Sequence, residues 1–229
     1  SPGAELRFIG DDGKEVPRGQ IGEIYSRIAG NPDFTYHNKS EKRAEIDREG
    51  FITSGDVGYI DADGYVFICD RKRDMVISGG VNIYPAEIEN ALMSHPDVVG
   101  AAAIGQPDSF AGELPCAYVE LVGGATVSQD DLLEHARAHI TERAAMPKHV
   151  EILPELPKTA VGKVFKPELR KMAIKRVYDA ALEGSGSHVV EVADDKKRGL
   201  VAKLSRDPGC DEAAVKQRLG SFTRPWDWS

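Results

Sequence analysis

Cysteine is scarce in this sequence, and no run of apolar residues is long enough to cross a bilayer. The three cysteines, Cys69, Cys116 and Cys210, are odd in number and far apart, which is typical of reduced thiols rather than of disulfides or a zinc site. Residues 1–5 lack the basic and then apolar pattern of a secretion signal. These absences predict a cytoplasmic protein with no membrane span.

An excess of positive charge is also missing. The chain holds 29 Lys and Arg residues against 37 Asp and Glu residues, a formal net charge of −8, which argues against a general nucleic-acid binder. With 229 residues, of which 41% are hydrophobic, the chain can form one large or two small domains. Because it begins within a β-rich pattern, we expect it to be a piece of something longer.

Residues 1–69 have the pattern of short strands separated by turns. Two pairs of apolar runs flank turns at 10–13 and 61–64, and both turns carry the Asp-Gly signal that links antiparallel strands. Between them, residues 40–45 predict a short helix capped by Ser40. This part of the chain is predicted to be a small, β-rich, barrel-like subdomain.

A cluster of charges at 70–74 marks a predicted domain boundary, and strands alternate with helices over residues 70–183. The alternation predicts an α+β domain with a short sheet packed by helices, so the fold class of the whole chain is α+β. Pro107 and Gly112 predict a loop inside this domain. The predicted helices cover 85–95, 128–140 and 167–182, and the predicted strands cover 98–104, 117–122 and 150–153.

Residues 184–229 are predicted to form a separate extension. Glu183 is followed by alternating Gly and Ser at 184–187, and this composition is typical of a flexible linker. A hairpin within 189–204 and a helix at 211–219 are predicted to follow. The tail holds both tryptophans, Trp226 and Trp228, which we expect to dock on the protein surface rather than to bind a ligand.

The segment 157–166 has the strongest chemical pattern in the chain. A Pro-started turn interrupted by Gly162 separates two apolar runs and presents Lys163, since glycine adopts backbone angles that other residues rarely reach. The natural partners of an ammonium group held in this way are carboxylates and phosphates. An ordinary basic loop before a helix is the alternative.

Two further patterns leave alternatives open. His135 and His139 have the i, i+4 spacing of a metal-binding pair, but no third ligand is evident, and we predict no metal site. A basic stretch starts at Lys163 and continues into the following helix. It can meet a phosphate or form a solvated helix face, and a solvated face is the commoner outcome.

Three motifs in order resemble the adenylate-forming superfamily over residues 5–176. They are Thr-Ser-Gly-Asp-Val-Gly at 53–58, Asp-Arg-Lys-Arg-Asp at 70–74 followed by Ser-Gly-Gly-Val-Asn-Ile-Tyr-Pro-Ala-Glu-Ile-Glu at 78–89, and Pro-Lys-Thr-Ala-Val-Gly-Lys at 157–163. The second motif is most similar to that of fatty-acyl and other carboxylate CoA ligases. Residues 177–229 lie outside the resemblance.

The resemblance implies a large N-terminal domain and a small mobile C-terminal domain joined at a hinge. It implies that a carboxylic acid attacks ATP, with Mg²⁺, to give acyl-AMP, and that CoA then displaces AMP. By matching position, Asp56 and Arg71 would bind the nucleotide, Arg73 would be the hinge, and Lys163 would be the catalytic cation. The segment Ser78, Gly79 and Gly80 would line the passage for CoA.

Departures from the family pattern limit what the chain can do alone. The family usually has Asp or Lys where this chain has Arg73, and Ser or Thr where it has Val161. No Ser/Thr/Gly-rich phosphate loop followed by lysine occurs in the sequence, so we expect little or no ligase activity from the isolated chain. An enzyme that loads a carrier protein and a non-catalytic nucleotide- or CoA-binding module are the alternatives. The resemblance to fatty-acyl ligases implies a fatty acid as the substrate, while the sequence itself identifies neither the acid nor the oligomeric state.

Overall fold

The computed structural model describes residues 3–30, 34, 37 and 40–229. The chain divides into two compact units, Ser1–Asp74 and Met75–Ser229. Both units mix strands and helices, and the predicted α+β class is confirmed. The predicted division into 1–69, 70–183 and 184–229 stays a prediction.

The first unit is built on a curled, half-barrel sheet. Its strands pair in the order β1-β2-β4-β3, all antiparallel, and β5 pairs with β4. The turn between β4 and β5 is the Asp-Gly turn expected there, in which the Asp61 carboxylate accepts a hydrogen bond from Tyr65 N at 2.8 Å. The elements are β1 (Ala4–Ile9), β2 (Gly22–Ile28), α1 (Ser40–Ile46), β3 (Asp47–Arg48), β4 (Phe51–Ile60) and β5 (Val66–Arg71).

The helix expected at 40–45 is present as α1. The expected capping side chain, that of Ser40, lies outside what the structure describes.

The second unit packs helices on both faces of a sheet. Its elements are β6 (Val76–Ser78), β7 (Val81–Ile83), α2 (Pro85–Met93), β8 (Val98–Asp108), β9 (Gly112–Leu121), α3 (Gln129–His139), β10 (Val150–Leu153), α4 (Lys166–Leu182), β11 (Val189–Asp195), β12 (Gly199–Leu204), α5 (Glu212–Leu219) and β13 (Trp226–Trp228). The main sheet has the order β10-β9-β6-β7, with β8 paired to β9.

Alternation along β8 and β9 explains why both faces of this sheet are covered. Ala117 and Val119 face a core shared with α2 and α3, whereas Cys116 and Tyr118 face a second core shared with α4. Successive side chains of a strand point to opposite faces, so these mostly apolar strands are buried on both sides. β10 runs parallel to β9. The chain then leaves β10 directly into the segment that carries Lys163.

The prediction of a loop around Pro107 and Gly112 is wrong. β8 continues through Pro107, which pairs with Glu113, and the reversal takes place at 109–111. Proline is tolerated here because β8 is an edge strand, whose outer side needs no ladder hydrogen bond.

The flexible linker expected at 183–187 is also wrong. Ser185 and Ser187 are buried, and their hydroxyl groups donate to Leu182 O at 2.6 Å and to Ser205 O at 2.9 Å. These hydrogen bonds hold the segment as a packed turn, although its composition is typical of a linker.

Residues 184–229 form a small sheet that packs on α4. The sheet has the order β11-β12-β13, and its core includes Val189 and Leu204 together with Ile174, Tyr178 and Leu182 of α4. Trp226 and Trp228, which were expected to dock on the surface, are partly buried against this core. They lie in β13, a strand parallel to β12 that was not predicted. Within the described ranges, no helix is both long and apolar enough to span a bilayer.

Candidate functional site

A bulge in β4 carries Asp56, a partly buried residue of the first unit. Tyr25 pairs with Thr53 and Glu23 pairs with Val57, so β4 has extra residues between these two pairs. Gly55 lies in this bulge with a φ of 81°, a conformation that glycine adopts without steric cost. The bulge pushes the segment that ends at Asp56 out of the regular ladder.

The Asp56 carboxylate is held by two neighbours. Ser54 Oγ donates to Asp56 Oδ2 at 2.6 Å, and Arg71 Nε lies 3.4 Å from Asp56 Oδ1. Asp56 and Arg71 are also paired across β4 and β5. A carboxylate has about four lone-pair sites, so Asp56 can still accept two hydroxyl donors. The structure thus brings together the two residues predicted to bind nucleotide.

Three residues that the sequence reasoning did not assign support this bulge. Thr53 Oγ1 donates to Glu23 Oε1 at 3.0 Å and accepts from Gly55 N at 2.9 Å. Lys72 Nζ donates to Glu23 Oε2 at 2.8 Å, and this bond, ahead of the Coulomb attraction, raises the pKa of Lys72. Thr53 lies in the first motif, but no local pattern marks Glu23, because its partners are about 30 to 50 residues away in sequence.

A cavity of about 320 Å³ opens beside this network. Lining residues include both members of the Glu23–Lys72 pair and the cations Arg71 and Arg73. Its size matches the lower end of small-molecule sites. The cavity therefore combines cationic donors with the Glu23 carboxylate, and it lies against Ser54 and Gly55 of the bulge.

Arg73 lies in a short 3₁₀ helix, Lys72–Asp74, immediately before the boundary between the compact units. Its side chain is exposed, and Arg73 Nε lies 3.8 Å from Asp74 Oδ2. Upstream, Lys72 is tied to Glu23, and downstream Val76 is fully buried. This position agrees with that of a hinge, and the role remains a prediction.

Gly79 and Gly80 form the turn between β6 and β7. Both have positive φ angles, 56° and 86°, and Gly79 N donates to Ala111 O at 3.0 Å. A Cβ atom at either residue would meet nothing within 4 Å. Backbone conformation alone therefore explains glycine here, while the open space at Gly79 and Gly80 is compatible with a thin ligand. The role in CoA binding remains a prediction.

Lys163 lies on a small hairpin of the second unit. Lys158 and Val164 pair in an antiparallel bridge, Thr159 N donates to Lys163 O at 2.7 Å, and Phe165 N donates to Pro157 O at 2.7 Å. Lys163 N donates to Thr159 Oγ1 at 3.2 Å. The backbone of Lys163 is thus hydrogen-bonded through both its N–H and its C=O groups.

The hairpin directs Lys163 to solvent. Gly162, with a φ of 78°, closes the tip of the hairpin, and Lys163 is exposed. Among the described residues, no side chain lies within ion-pair distance of the Lys163 ammonium group. The side chain is therefore available to an external anion, as the sequence predicts.

The rest of the basic stretch is engaged within the second unit. Lys166 Nζ lies 2.8 Å from Glu89 Oε1, and Lys171 Nζ lies 3.0 Å from Asp194 Oδ2. Lys175 bonds Asp179 at 2.9 Å and also the carbonyl of Val189. These ion pairs do not favour a phosphate site along α4 and set Lys163 apart from the cations that follow it.

Two other clusters hold reactive types of side chain. The rings of His135 and His139 stack with centroids 4.1 Å apart, but the parts of the chain that the structure describes contain no group of three or more His, Cys, Asp or Glu residues able to hold a metal. Ser205 and Asp207 both approach the same nitrogen of His188, Nδ1. A nucleophilic triad needs the base to use both ring nitrogens, so this cluster lacks that arrangement.

Comparison with known proteins gives a consistent family. Residues 87–163 match the AMP-binding enzyme C-terminal domain. The chain is 43% identical over 159 residues to marinolic acid–CoA ligase of Pseudoalteromonas sp. (strain SANK 73390), covering 68% of this chain and 24% of that protein. It is 39% identical over 178 residues to indoleacetate–CoA ligase of Aromatoleum aromaticum, covering 78% and 34%.

A solved structure, that of ATP-bound MatB from Rhodopseudomonas palustris, is similar with a TM-score of 0.67 and 38% identity, covering 74% of this chain and 34% of that one. The chain thus spans about a third or less of the length of these proteins. The family model falls on the second unit, and it ends at Lys163 itself. On this evidence the chain belongs to the adenylate-forming superfamily and carries its C-terminal portion.

Proposed function

We propose that this chain supplies the end of the nucleotide-binding region and the whole small domain of an ATP-dependent carboxylate–CoA ligase. The observation that carries the proposal is the Lys163 ammonium group, exposed on a hydrogen-bonded hairpin. The CoA-ligase names of two relatives support the reaction class. The proposal extends to the carboxylic acid, ATP and CoA as substrates.

The first half-reaction joins two anions. A carboxylate oxygen of the acid attacks the α-phosphorus of ATP, the bond to the bridging oxygen of pyrophosphate breaks, and acyl-AMP and pyrophosphate form. Negative charge crowds at the reacting phosphate, so a cation placed there lowers the barrier. Lys163 is proposed to be that cation.

The second half-reaction transfers the acyl group. The sulfur of CoA attacks the acyl carbonyl carbon, the bond to the AMP oxygen breaks, and AMP leaves while the thiol proton passes to solvent. This step needs no cation at the former pyrophosphate position. Lys163 is therefore proposed to act in the first step and to depart before the second, through a movement about Arg73.

Asp56 and Arg71 are proposed to position the nucleotide. The Asp56 carboxylate can accept hydrogen bonds from the ribose hydroxyls, because Ser54 and Arg71 already fix its orientation. The Arg71 guanidinium can donate to ribose or phosphate oxygens through its planar set of donors. The cavity lined by Arg71 and Arg73 supports this placement.

Mg²⁺ is implied with ATP in this family, but the described residues contain no cluster of carboxylates, histidines or thiols suited to a metal. The prediction of a fatty acid gains no support from the two relatives, whose names specify marinolic acid and indoleacetate.

A cytoplasmic location remains our proposal, and the three free thiols support a reducing compartment.

The test joins this chain to the upstream region of the indoleacetate–CoA ligase, the part that the chain does not cover. We call this fusion the extended enzyme. With indoleacetate, ATP–pyrophosphate exchange and CoA-dependent AMP release should both appear in the extended enzyme and be absent from the chain alone. An extended enzyme that binds ATP but forms no acyl-AMP would contradict the proposal. Transfer to a carrier protein but not to CoA would favour the carrier-loading alternative.

A further inference from the structure

The base of the Lys163 hairpin is tied to the main sheet by one carboxylate. Glu120, near the end of β9, accepts a hydrogen bond from Leu156 N at 3.0 Å and another from Lys158 Nζ at 3.2 Å. Leu156 immediately precedes the hairpin, and Lys158 lies on its first strand. One side chain therefore holds the entry to the hairpin through both a backbone and a side-chain donor.

The site around Glu120 is shaped to receive this contact. Gly100 pairs with Glu120 across β8 and β9, and a Cβ atom at Gly100 would lie 3.0 Å from Leu156 Cδ1 and 3.9 Å from Glu120 Oε2. Leu156 itself is buried in the core beneath α4. The glycine thus leaves room for Leu156 and Glu120 to meet.

The pairing of the hairpin strands links this clamp to the direction of Lys163. Paired residues of an antiparallel ladder share a face, and the next pair lies on the opposite face. Lys158 pairs with Val164, and Val164 packs against the core of the unit. Lys158 therefore points towards the sheet, where Glu120 meets it. Thr159 and Lys163, one step further, point away from the sheet.

Charge completes the arrangement. Lys158 Nζ lies 3.2 Å from both Glu155 Oε1 and Glu120 Oε2. The hydrogen bond with Glu155 has the larger effect, and together with the bond to Glu120 it raises the pKa of Lys158. The bond from Leu156 N, followed by that from Lys158, lowers the pKa of Glu120. Two carboxylates hold Lys158 inward, which leaves Lys163 as the outward cation of the hairpin.

We propose that Glu120 is a positioning residue for adenylation, which fixes the hairpin to the sheet and so sets where Lys163 is presented. This inference rests on the proposed function of Lys163. Glu120 touches no reacting atom, and its effect passes through Leu156 and Lys158. A displaced catalytic group can cost up to about a hundredfold in rate when it moves by about 1 Å, so the clamp matters for the first half-reaction and not for the second.

The test compares both half-reactions in the extended enzyme carrying Glu120→Leu, Glu120→Gln or Lys158→Met. We expect Glu120→Leu to slow pyrophosphate exchange about tenfold or more, while thioester formation from supplied acyl-AMP changes less than about twofold. Glu120→Gln should recover part of the loss, because an amide oxygen still accepts from Leu156 N. Asp194→Asn is the matched control, since it removes an ion pair of 3.0 Å to Lys171 elsewhere in the same unit.

A second readout needs no activity. In the chain itself, Glu120→Leu should speed hydrogen exchange at the amides of Lys163 and Phe165 and leave β12 unchanged, and Asp194→Asn should leave the hairpin amides as they are. Unchanged hairpin exchange, or equal loss of both half-reactions, would overturn the role of Glu120. If Lys163→Ala leaves pyrophosphate exchange intact, the proposed function fails instead. If Lys163→Ala abolishes exchange while Glu120→Leu does not, only the present inference fails.

Discussion

The side chain of Lys163 is free to move, while the backbone that carries it is fixed. The backbone N–H and C=O groups of Lys163 both form hydrogen bonds with Thr159, and Lys163 itself is exposed. The fixed backbone limits the region that the flexible four-carbon side chain can reach, so the position of the hairpin decides where the ammonium group is presented. Asp56 shows the complementary design, because its carboxylate is oriented by Ser54 and Arg71.

Lys163→Ala in the extended enzyme should abolish adenylation and spare the second half-reaction. Removing a positioned charge-stabilising donor typically costs about 2.7–4 kcal/mol in the transition state, which corresponds to a loss of about 10²–10³-fold in pyrophosphate exchange. Thioester formation from supplied acyl-AMP should stay within about twofold of the unchanged enzyme, because the ammonium group is not needed there. Equal losses in the two assays would refute this division of labour.

Helix α4 links two hydrophobic cores of the second unit. Leu169 and Ala173 face the main sheet, whereas Tyr178 and Leu182 face the small sheet formed by β11, β12 and β13. Tyr178 also donates its hydroxyl hydrogen to Arg224 O at 2.7 Å. The terminal sheet therefore covers the part of α4 furthest from the lysine hairpin, and its stability is coupled to that of the main sheet.

Leu182→Ala tests this coupling. The side chain is 1% exposed, so the substitution should lower the free energy of unfolding by about 2–5 kcal/mol in urea titrations. Val190→Ala, at a position 55% exposed, should change it by less than about 0.5 kcal/mol. Amide exchange in β9 should also rise for Leu182→Ala. If β9 keeps its full protection, the terminal sheet unfolds independently and the coupling is absent.

At the scale of the whole molecule, several local turn and helix signals predicted the structure correctly, whereas the composition at 183–187 and Pro107 misled and the distant contacts were not predicted. The hairpin at Lys163 and the helix that follows Pro85 are specified by Gly and Pro signals within a few residues, and both are present. The strand β13 depends on pairing with β12, more than 20 residues away, and no local signal announces it. Glu120 looks like an ordinary strand residue, because its role arises only when Leu156 folds against it.

Arg73→Pro tests whether the boundary between the units is also a mechanical hinge. Proline fixes φ near −65°, so it should restrict rotation at this residue, whereas Arg73→Ala removes only the side chain. In the extended enzyme we expect the full reaction to fall more steeply for the proline variant than for the alanine variant, with one half-reaction largely retained. Equal rates for the two variants, measured by AMP release, would show that the backbone at Arg73 is not the pivot.

Two histidines should make the fold less stable in mild acid. Burial, followed by the neighbouring His139 and His95, lowers the pKa of His135 below its usual 6.5. Burial, followed by Arg176, lowers the pKa of His149 in the same direction. Between the usual value and these lowered values, the unfolded chain binds more protons than the folded chain. The free energy of unfolding must therefore fall as the pH falls through about 6.5, and it must level off below the lowered values.

Urea titrations of the chain between pH 8 and pH 5 measure this slope, and His135→Gln separates the contributions of the two groups. We expect the unchanged chain to lose stability over this range, with a slope of at most one proton per histidine. His135→Gln should reduce the slope, because glutamine does not titrate. Hydrogen bonds with Ser128 lower the pKa of Asp131. Carboxylates of this kind add to the loss of stability only below about pH 4. Stability that stays flat from pH 8 to pH 5 would show that neither histidine resists protonation in the folded chain.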